Sequence, residues 1–318
     1  MVTPTPISPA GTSLTYLKQD TPISWLGLDG VSCTVCHQIR PQGLGSEVSF
    51  TGHFVIEQKG PLFGPHRNPF TRPMQHHTGY TPTHSDHMLD SALCATCHTL
   101  DTETLADDGS ATGTMLHEQS PYREWRNSTY SGESNAASDE IRSCQQCHMP
   151  RHEGNGQPTR TRIAHNPGGR DFPFLQDRQP YGRHRFLGGK LLLTRLMLEH
   201  PEALDVDLPG ESLRELLSVN QHFLEHQTAR LALGEITRKA DQLTIPVQVN
   251  NLAGHKLPTA YPSRRVWLRV EIKDQAGDVI FCSGGFNDQA ELVDADQKVL
   301  DCEQFGGPIE PHHQVIRT

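Results

Sequence analysis

The chain contains little of the apolar material from which a domain of its size normally builds a core. Hydrophobic residues make up 35% of its 318 residues and aromatic residues only 6%, whereas globular chains are commonly about 45–50% apolar. Glycine and proline are frequent instead, with 27 and 23 copies. Because little apolar surface is available to offset the entropy of ordering the chain, we expect a loop-rich protein whose core is completed by a bound group.

The chain also lacks long apolar runs and an excess of positive charge. Its longest apolar run, LLLTRLML at 191–198, contains Arg195 and is far shorter than the ~18 residues of a membrane-spanning helix. The formal net charge is −9. These features predict no transmembrane segment, argue against nucleic acid as a partner and favour docking with basic protein surfaces.

Three copies of one cysteine motif stand out against this background. The pattern C-x-x-C-H occurs with Cys33, Cys36 and His37, with Cys94, Cys97 and His98, and with Cys144, Cys147 and His148. A random chain of this composition would contain about 0.01 copies, so the repetition is not accidental. The motif is typical of c-type haem: two thiols one helical turn apart bind the vinyl groups of one macrocycle, and the adjacent imidazole binds its iron. The sequence therefore predicts three covalently bound haem c groups.

Zinc and dithiol chemistry are the alternatives to haem. A Cys₄ zinc ribbon uses pairs of C-x-x-C units, whereas this chain has three units, each followed by the same histidine. A thioredoxin-like dithiol would occur once, near a βαβ pattern, and no such pattern is visible. Both alternatives are disfavoured.

Haem attachment to C-x-x-C-H takes place after export, so we expect a periplasmic or extracellular protein. No signal peptide is recognisable at Met1, and we expect one in a longer precursor. An oxidising compartment would also allow Cys282 and Cys302, which lie outside the haem motifs, to form a disulfide. Two ionised propionates on each of three haems would bring the net charge to about −15.

The sixth ligand of each iron must come from outside the motifs. Sixteen further histidines are present, against six methionines, so the numbers favour bis-histidine over methionine–histidine ligation. Positions beside turns, glycine or the second motif single out four of them: His77, His87, His184 and His255. His222 and His226, one helical turn apart, are an alternative metal site. We expect most other histidines to be bystanders.

The periodicity of the chain changes twice. Residues 1–205 contain the motifs and many Gly and Pro residues that interrupt regular structure. We predict short helices there over 86–98, 120–130, 138–148 and 188–200. Ser138 is the predicted N-cap of the third of these helices, and the fourth is predicted to be mostly buried. One amphipathic helix is predicted within 206–240, with Leu and Phe at helical spacing over 211–235. Residues 241–318 alternate with period two in QLTIPVQVNN and RVWLRVEIKD, and the turn DQAG precedes DVIFCS.

The predicted fold class is therefore α+β. It comprises a loop-rich, sparsely helical trihaem cytochrome region (1–205), a connecting amphipathic helix (206–240) and a β-sandwich-like domain (241–318). We expect the last domain to continue beyond Thr318, because the sequence stops there without a terminal cap or a shift in composition.

Several stretches together resemble multihaem cytochromes c: GVSCTVCHQI, HHTGYTPTHSDHMLDSALCATCHTL, EQSPYREWRNSTY, CQQCHMP, GRHRFLGG and NNLAGHKLPTAYPSRRVWL. The resemblance is to members whose haem region is similar to electron-transfer cytochromes related to hydroxylamine oxidoreductase, followed by a β-rich C-terminal domain. It covers most of 25–200 and 243–318 and implies mostly His/His haems. It also favours His77, His87, His184 and His255 over His76 and His84, which gives four candidates for three irons.

The predicted function is electron transfer through three closely spaced haems, with redox proteins, other cytochromes or further copies of the chain as partners. The alternative is a multihaem oxidoreductase in which one open iron acts on a small nitrogen or sulfur compound. No C-x-x-C-K motif marks such an iron, and Arg126, Tyr130 and Arg142 could line a pocket or bind propionates equally well. We predict no catalytic residue.

Overall fold

The structure, a computed structural model, describes residues 31–56, 60–133, 140–153, 156–165, 170–240, 242–261, 264–294 and 296–300. Within these ranges the chain forms helices and small, separate sheets, so the fold is mixed α and β. It divides into two compact units, Met1–His255 and Lys256–Thr318. The division into regions at 205 and 240 stays a prediction.

The described helices are short except for the last. They are α1 (Cys33–Gln38), α2 (Arg72–Thr78), α3 (Ser91–Ala95), α4 (Pro121–Arg126), α5 (Cys144–His148), α6 (Leu191–Glu199) and α7 (Gly210–Gln227). Single 3₁₀ turns lie at Glu47–Ser49, Asp86–Leu89 and Thr129–Ser131. Each cysteine motif therefore begins in its own short helix.

Two of the predicted motif helices are shorter in the structure because polar caps begin them late. The segment predicted as a helix over 86–98 splits at Asp90, whose carboxylate accepts a hydrogen bond from the backbone N–H of Ala92 at 2.9 Å and starts α3 there. The helix predicted over 138–148 begins only at Cys144, behind a capping box in which the Ser143 N–H donates to Gln146 Oε1 at 2.6 Å. Ser138 lies outside the described residues.

The sheets of the first unit are all two-stranded among the described residues. They pair β1 (Pro61–Gly64) with β2 (Thr81–His84) in parallel, and, antiparallel, β3 (Leu100–Leu105) with β4 (Ala111–Gln119), β5 (Ala229–Leu233) with β8 (Val247–Asn251), and β6 (Thr237–Lys239) with β7 (Gln242–Thr244). The β3–β4 hairpin was not predicted. Its strands are largely exposed and carry Thr, Asp and Glu, so the pattern of a half-buried strand is weak there.

The long helix ends earlier than its apolar spacing predicts. The segment ARLAL, predicted as its continuation, forms β5 instead, because Ala229–Leu233 pairs along its whole length with β8. The helix α6 packs against α7, but Leu192 and Leu193 are 70% and 64% exposed. The prediction that this helix is mostly buried is therefore wrong.

The second unit contains two further antiparallel pairs. They are β9 (Val270–Lys273) with β10 (Val279–Ser283), and β11 (Gly285–Phe286) with β12 (Leu292–Val293). The predicted DQAG turn joins β9 to β10, where the Asp274 N–H donates to the Asp278 carbonyl at 2.9 Å. No two-layer sandwich is present in the described part of this unit. Cys302 lies outside the described residues, so its disulfide with Cys282 stays a prediction.

The buried apolar core is small. Its buried hydrophobic residues are Ile39, Phe50, Met88, Ala92, Ala95, Tyr122, Leu187, Leu213, Leu292 and Val293. Four of them, Ile39, Met88, Ala92 and Ala95, lie within ten residues of a motif histidine along the chain. The described part of the chain contains no helix long and apolar enough to cross a membrane.

Candidate haem-binding sites

Each cysteine motif is folded so that its two thiols face the same way. The helices α1 and α5 contain a whole motif each, and the second motif continues beyond α3 as a turn in which the His98 N–H donates to the Cys94 carbonyl at 2.9 Å. Because residues three apart in a helical turn share a face, each cysteine pair can attach to the two edges of one flat macrocycle.

Two of the motif histidines are oriented by backbone carbonyls. His37 Nδ1 contacts the Phe63 carbonyl oxygen, and His148 Nδ1 contacts the Leu187 carbonyl oxygen, both at 2.5 Å. A histidine that donates from Nδ1–H to a carbonyl keeps Nε2 as a neutral acceptor, which is the arrangement found in metal-ligating histidines. Burial lowers the pKa values of His148 and His98, which favours the neutral ring that a metal requires.

Two of the four predicted distal histidines pair with motif histidines. The ring centroids of His37 and His184 lie 6.0 Å apart, and those of His148 and His255 lie 6.2 Å apart. A metal-bound imidazole nitrogen lies at about 2.0–2.1 Å from the metal, so two rings on opposite sides of one iron should have centroids about 6.3 Å apart. Burial, followed by the charge of His37, lowers the pKa of His184. Both pairs therefore have the spacing of a bis-imidazole site.

The other two predicted ligands lie elsewhere. His87 has both ring nitrogens engaged, Nδ1 with Ser85 Oγ at 2.7 Å and Nε2 with the Ile39 carbonyl at 2.9 Å. His77 is exposed at the end of α2, with its ring 5.2 Å from that of His76. Neither ring pairs with a motif histidine among the residues the structure describes. Ligation by His77 and His87 stays a prediction.

The three attachment points are joined by direct contacts. The Cys144 N–H donates to Ser91 Oγ at 3.0 Å, and Gln145 Nε2 donates to the Asp90 carbonyl at 2.7 Å, so the second and third motifs adjoin. A hydrogen bond between the thiols of Cys94 and Cys144 raises the pKa of Cys94 and lowers that of Cys144.

The first motif lies beside the second. The charge of Cys36 contributes to the raised pKa values of Cys94 and Cys97, after larger causes in each case. The loop that follows α1 is also bonded to the second motif, since the Gly52 N–H donates to the Thr96 carbonyl at 2.7 Å and the Thr51 N–H to the Thr99 carbonyl at 2.8 Å. The contacts order the three motifs as first, second, third.

Residues that the sequence did not single out support the third motif. Asn220 of α7 is 1% exposed, and its side-chain amide bonds both backbone groups of Gly188, accepting from N–H at 2.7 Å and donating to the carbonyl at 2.8 Å. Phe223 lies one turn further along, 5.9 Å from the His148 ring. The sequence contains a signal that could have identified Asn220. It is a polar residue within the apolar stripe of the helix, between Leu216 and Phe223.

Gly254 precedes the predicted ligand His255 and lies against two aromatic rings. A side chain there would lie 3.2 Å from both Trp125 Cδ1 and Tyr130 Cδ2. The glycine therefore allows the backbone before His255 to pack on two aromatic rings. Tyr130 also donates from its hydroxyl to the Leu252 carbonyl at 3.2 Å, while Arg126 pairs with Glu133 at 2.9 Å.

The described residues fit a flat, largely apolar group with polar edges. Two buried polar atoms beside the motifs, Thr99 Oγ1 and Gln145 Oε1, have no hydrogen-bond partner in the described part of the chain. Since buried polar atoms normally find hydrogen-bond partners, the polypeptide alone leaves these two atoms without the partners that a bound group would supply.

His222 and His226 were predicted as an alternative metal site. Their rings lie 4.2 Å apart on the exposed face of α7. No group of three or more His, Cys, Asp or Glu side chains arranged to hold a metal ion occurs among the described residues.

Comparison with known proteins adds one distant likeness. No family model matches the chain, and no curated protein matches it. Among solved structures, the chain is similar to a penta-haem cytochrome c552 from Thermochromatium tepidum, with 16% sequence identity and a TM-score of 0.43 over 81% of this chain. The chain spans 57% of the length of that cytochrome. A likeness of this size carries no argument about fold or function, which rest on the residues themselves.

Proposed function

We propose that the chain is a trihaem c-type cytochrome that carries electrons between redox partner proteins. The observation that carries the proposal is the joining of three C-x-x-C-H motifs into one cluster, with His184 and His255 at bis-imidazole distance from His37 and His148. When bound, the haems would supply one-electron iron chemistry. Bis-histidine ligation suits that role, because a second strong-field imidazole changes little between the two oxidation states.

The side chains have separate tasks in this proposal. The cysteine pairs hold each macrocycle through two thioether bonds, and the motif histidines bind the irons from one side. The carbonyls of Phe63 and Leu187 fix the rings of His37 and His148 by accepting from Nδ1–H and make Nε2 more basic. The contacts between neighbouring motifs keep the three sites close enough for electrons to pass from one to the next.

The location and partners follow from the same chemistry. Covalent haem c implies export, so we place the protein in the periplasm or outside the cell. A net charge of −9 before the propionates are counted favours basic surfaces on its redox partners. Other cytochromes, or further copies of this chain in a haem array, are candidates of that kind.

Intact mass of the purified full-length holoprotein tests the number of haems. We expect the mass to exceed that of the polypeptide by three haems. Replacing both cysteines of one motif by alanine should lower the excess by one haem, whichever motif is changed. An excess of two haems or none in the unaltered protein would contradict the proposal.

Spectroscopy of two variants tests the assigned ligand pairs. We expect His184→Ala and His255→Ala each to convert one low-spin iron to a high-spin iron that binds carbon monoxide in the reduced state. His200→Ala is a matched control, since its ring contacts no motif histidine in the described part of the chain. If both ligand variants keep the spectrum of the unaltered protein, the pairing is wrong even when three haems are present.

A further inference from the structure

We propose that the iron held at the second motif, through His98, has an exchangeable sixth position open to small strong-field ligands. The inference rests on the proposed function and deepens it, since it assigns ligand binding to one of the three sites. The expected ligands are small and uncharged or singly charged: carbon monoxide for the reduced iron, and cyanide or imidazole for the oxidised iron.

The first observation is a contrast within the same structure. The motif histidines His37 and His148 each have a second imidazole at 6.0 and 6.2 Å. His98 has none at that distance among the described residues, which include every histidine of the chain except His312 and His313. The first and third motif histidines thus each have a candidate second ligand, whereas His98 has none among the described residues.

The second observation concerns the histidines that sequence position favours for this iron. His87 bonds Ser85 through one ring nitrogen and the Ile39 carbonyl through the other. Ile39 is 2% exposed, so turning the ring toward an iron would leave a buried carbonyl without its partner. His77 is exposed on α2, in contact with the ring of His76. Hydrogen bonds thus hold the His87 ring, and neither ring pairs with that of His98 among the described residues.

The third observation is that the second site adjoins both of the others. The Cys144 N–H of the third motif donates to Ser91 Oγ at 3.0 Å, and the loop that follows the first motif is bonded to the second, since the Gly52 N–H donates to the Thr96 carbonyl at 2.7 Å. An exchangeable iron here would have a bis-histidine neighbour on each side, from which electrons could be supplied to a bound ligand.

Carbon monoxide titration of the reduced, full-length holoprotein counts the exchangeable irons. We expect one carbon monoxide per chain, with about a third of the Soret absorbance changing. Paramagnetic resonance of the oxidised protein should show one high-spin iron per chain, which one equivalent of cyanide converts to low spin. His184→Ala and His255→Ala should each raise the count from one to two. That increase assigns the exchangeable position of the unaltered protein to the remaining iron, at His98.

Variants of His87 and His77 distinguish an open iron at His98 from an iron that one of these two histidines ligates. His87→Ala and His77→Ala should leave the count at one. A count of zero with only low-spin irons overturns the inference, and a rise from zero to one in either variant would identify the missing ligand. A count that falls as the protein concentration rises also overturns it, because a second copy then supplies the ligand. Fewer than three haems by mass would instead contradict the proposed function.

Discussion

Replacing Asn220 by alanine should destabilise the protein and alter the third iron site. The Asn220 side chain is almost completely buried and bonds both the N–H and the carbonyl of Gly188. A buried backbone group that loses its partner costs about 1–3 kcal/mol. Gly188 is only half-buried and water can reach it, so we expect the free energy of unfolding to fall by about 2–4 kcal/mol for the two bonds together.

The same substitution should affect His148 through one intermediate residue. Leu187 precedes Gly188, and its carbonyl accepts from His148 Nδ1 while its N–H donates to the His148 carbonyl at 2.9 Å. If Gly188 is no longer held, the Leu187 carbonyl aligns less well with the ring. The imidazole then becomes a weaker donor to the metal, which favours the reduced iron. Asn220 is thus a positioning residue, and its loss should raise the reduction potential of the third iron.

Urea unfolding of the holoprotein and a redox titration followed by absorbance measure the two effects. Gln221→Ala is the matched control, because Gln221 neighbours Asn220 but is exposed, and its side chain donates to Glu225. We expect that control to lie within about 0.5 kcal/mol of the unaltered protein. An Asn220→Ala protein with unchanged stability would refute the energetic argument. A loss of stability without any change in one potential would refute the positioning argument alone.

Two further predictions concern the first compact unit. Asp101 accepts from both terminal nitrogens of Arg123, at 2.7 and 2.8 Å, which lowers the pKa of Asp101 to about 2. A lowered carboxyl pKa stabilises the folded state at pH values above the ordinary pKa of about 4. This stabilisation is lost as the pH falls through the pKa of the folded state. Arg123→Ala should therefore lower the urea midpoint at pH 7 and have little effect on it near pH 2. An equal loss at both pH values would contradict this origin. Gly254→Ala brings a methyl group within 3.2 Å of Trp125 and Tyr130, so we expect a loss of about 1–3 kcal/mol in unfolding experiments. Gly64→Ala is the control, because Gly64 does not have a left-handed backbone conformation and an added methyl group there has nothing within 4 Å.

Local signals predicted the parts of the structure that depend on neighbours in sequence. The cysteine spacing identified three helical turns, and the alternation in QLTIPVQVNN and RVWLRVEIKD identified strands. Boundaries were less predictable, because Asp90 and Ser143 begin their helices with hydrogen bonds that alternative caps could also have made. The parallel pairing of β1 with β2 has no local signal, since its partners are about twenty residues apart.

The strand β5 shows how a long-range partner overrides a helical pattern. Leu231 continues the apolar spacing of α7 and was predicted to be helical. In the structure it lies opposite Val249 in a pair with β8. A strand pair satisfies the backbone groups of both segments at once, whereas a helix would leave β8 an unpaired edge. Helical propensity alone cannot indicate this, because the competing partner lies about twenty residues away.

The sequence narrows the candidate distal ligands to four, and the structure brings the rings of two of them, His184 and His255, near motif histidines. A ligand pair needs two rings about 6.3 Å apart, and chain separation does not determine that distance. His87 is seven residues before Cys94, yet hydrogen bonds hold its ring against Ser85 and Ile39. His184 is 147 residues after His37 in the numbering, yet its ring lies 6.0 Å away.

The segment from His184 to Gly188 connects two of the proposed iron sites. At one end the His184 ring pairs with His37, and at the other the Leu187 carbonyl orients His148. The helix α7 holds this segment at both ends, through the ion pair of Arg185 with Glu215 at 2.5 Å and through Asn220.

A helix predicted as a connector therefore holds the segment that contacts the proposed ligands of the first and third irons. Because both sites depend on one short segment, a substitution that loosens it should change two reduction potentials together. A substitution that moves the Phe63 carbonyl should change only that of the first iron, because this carbonyl bonds His37 alone among the motif histidines of the described chain.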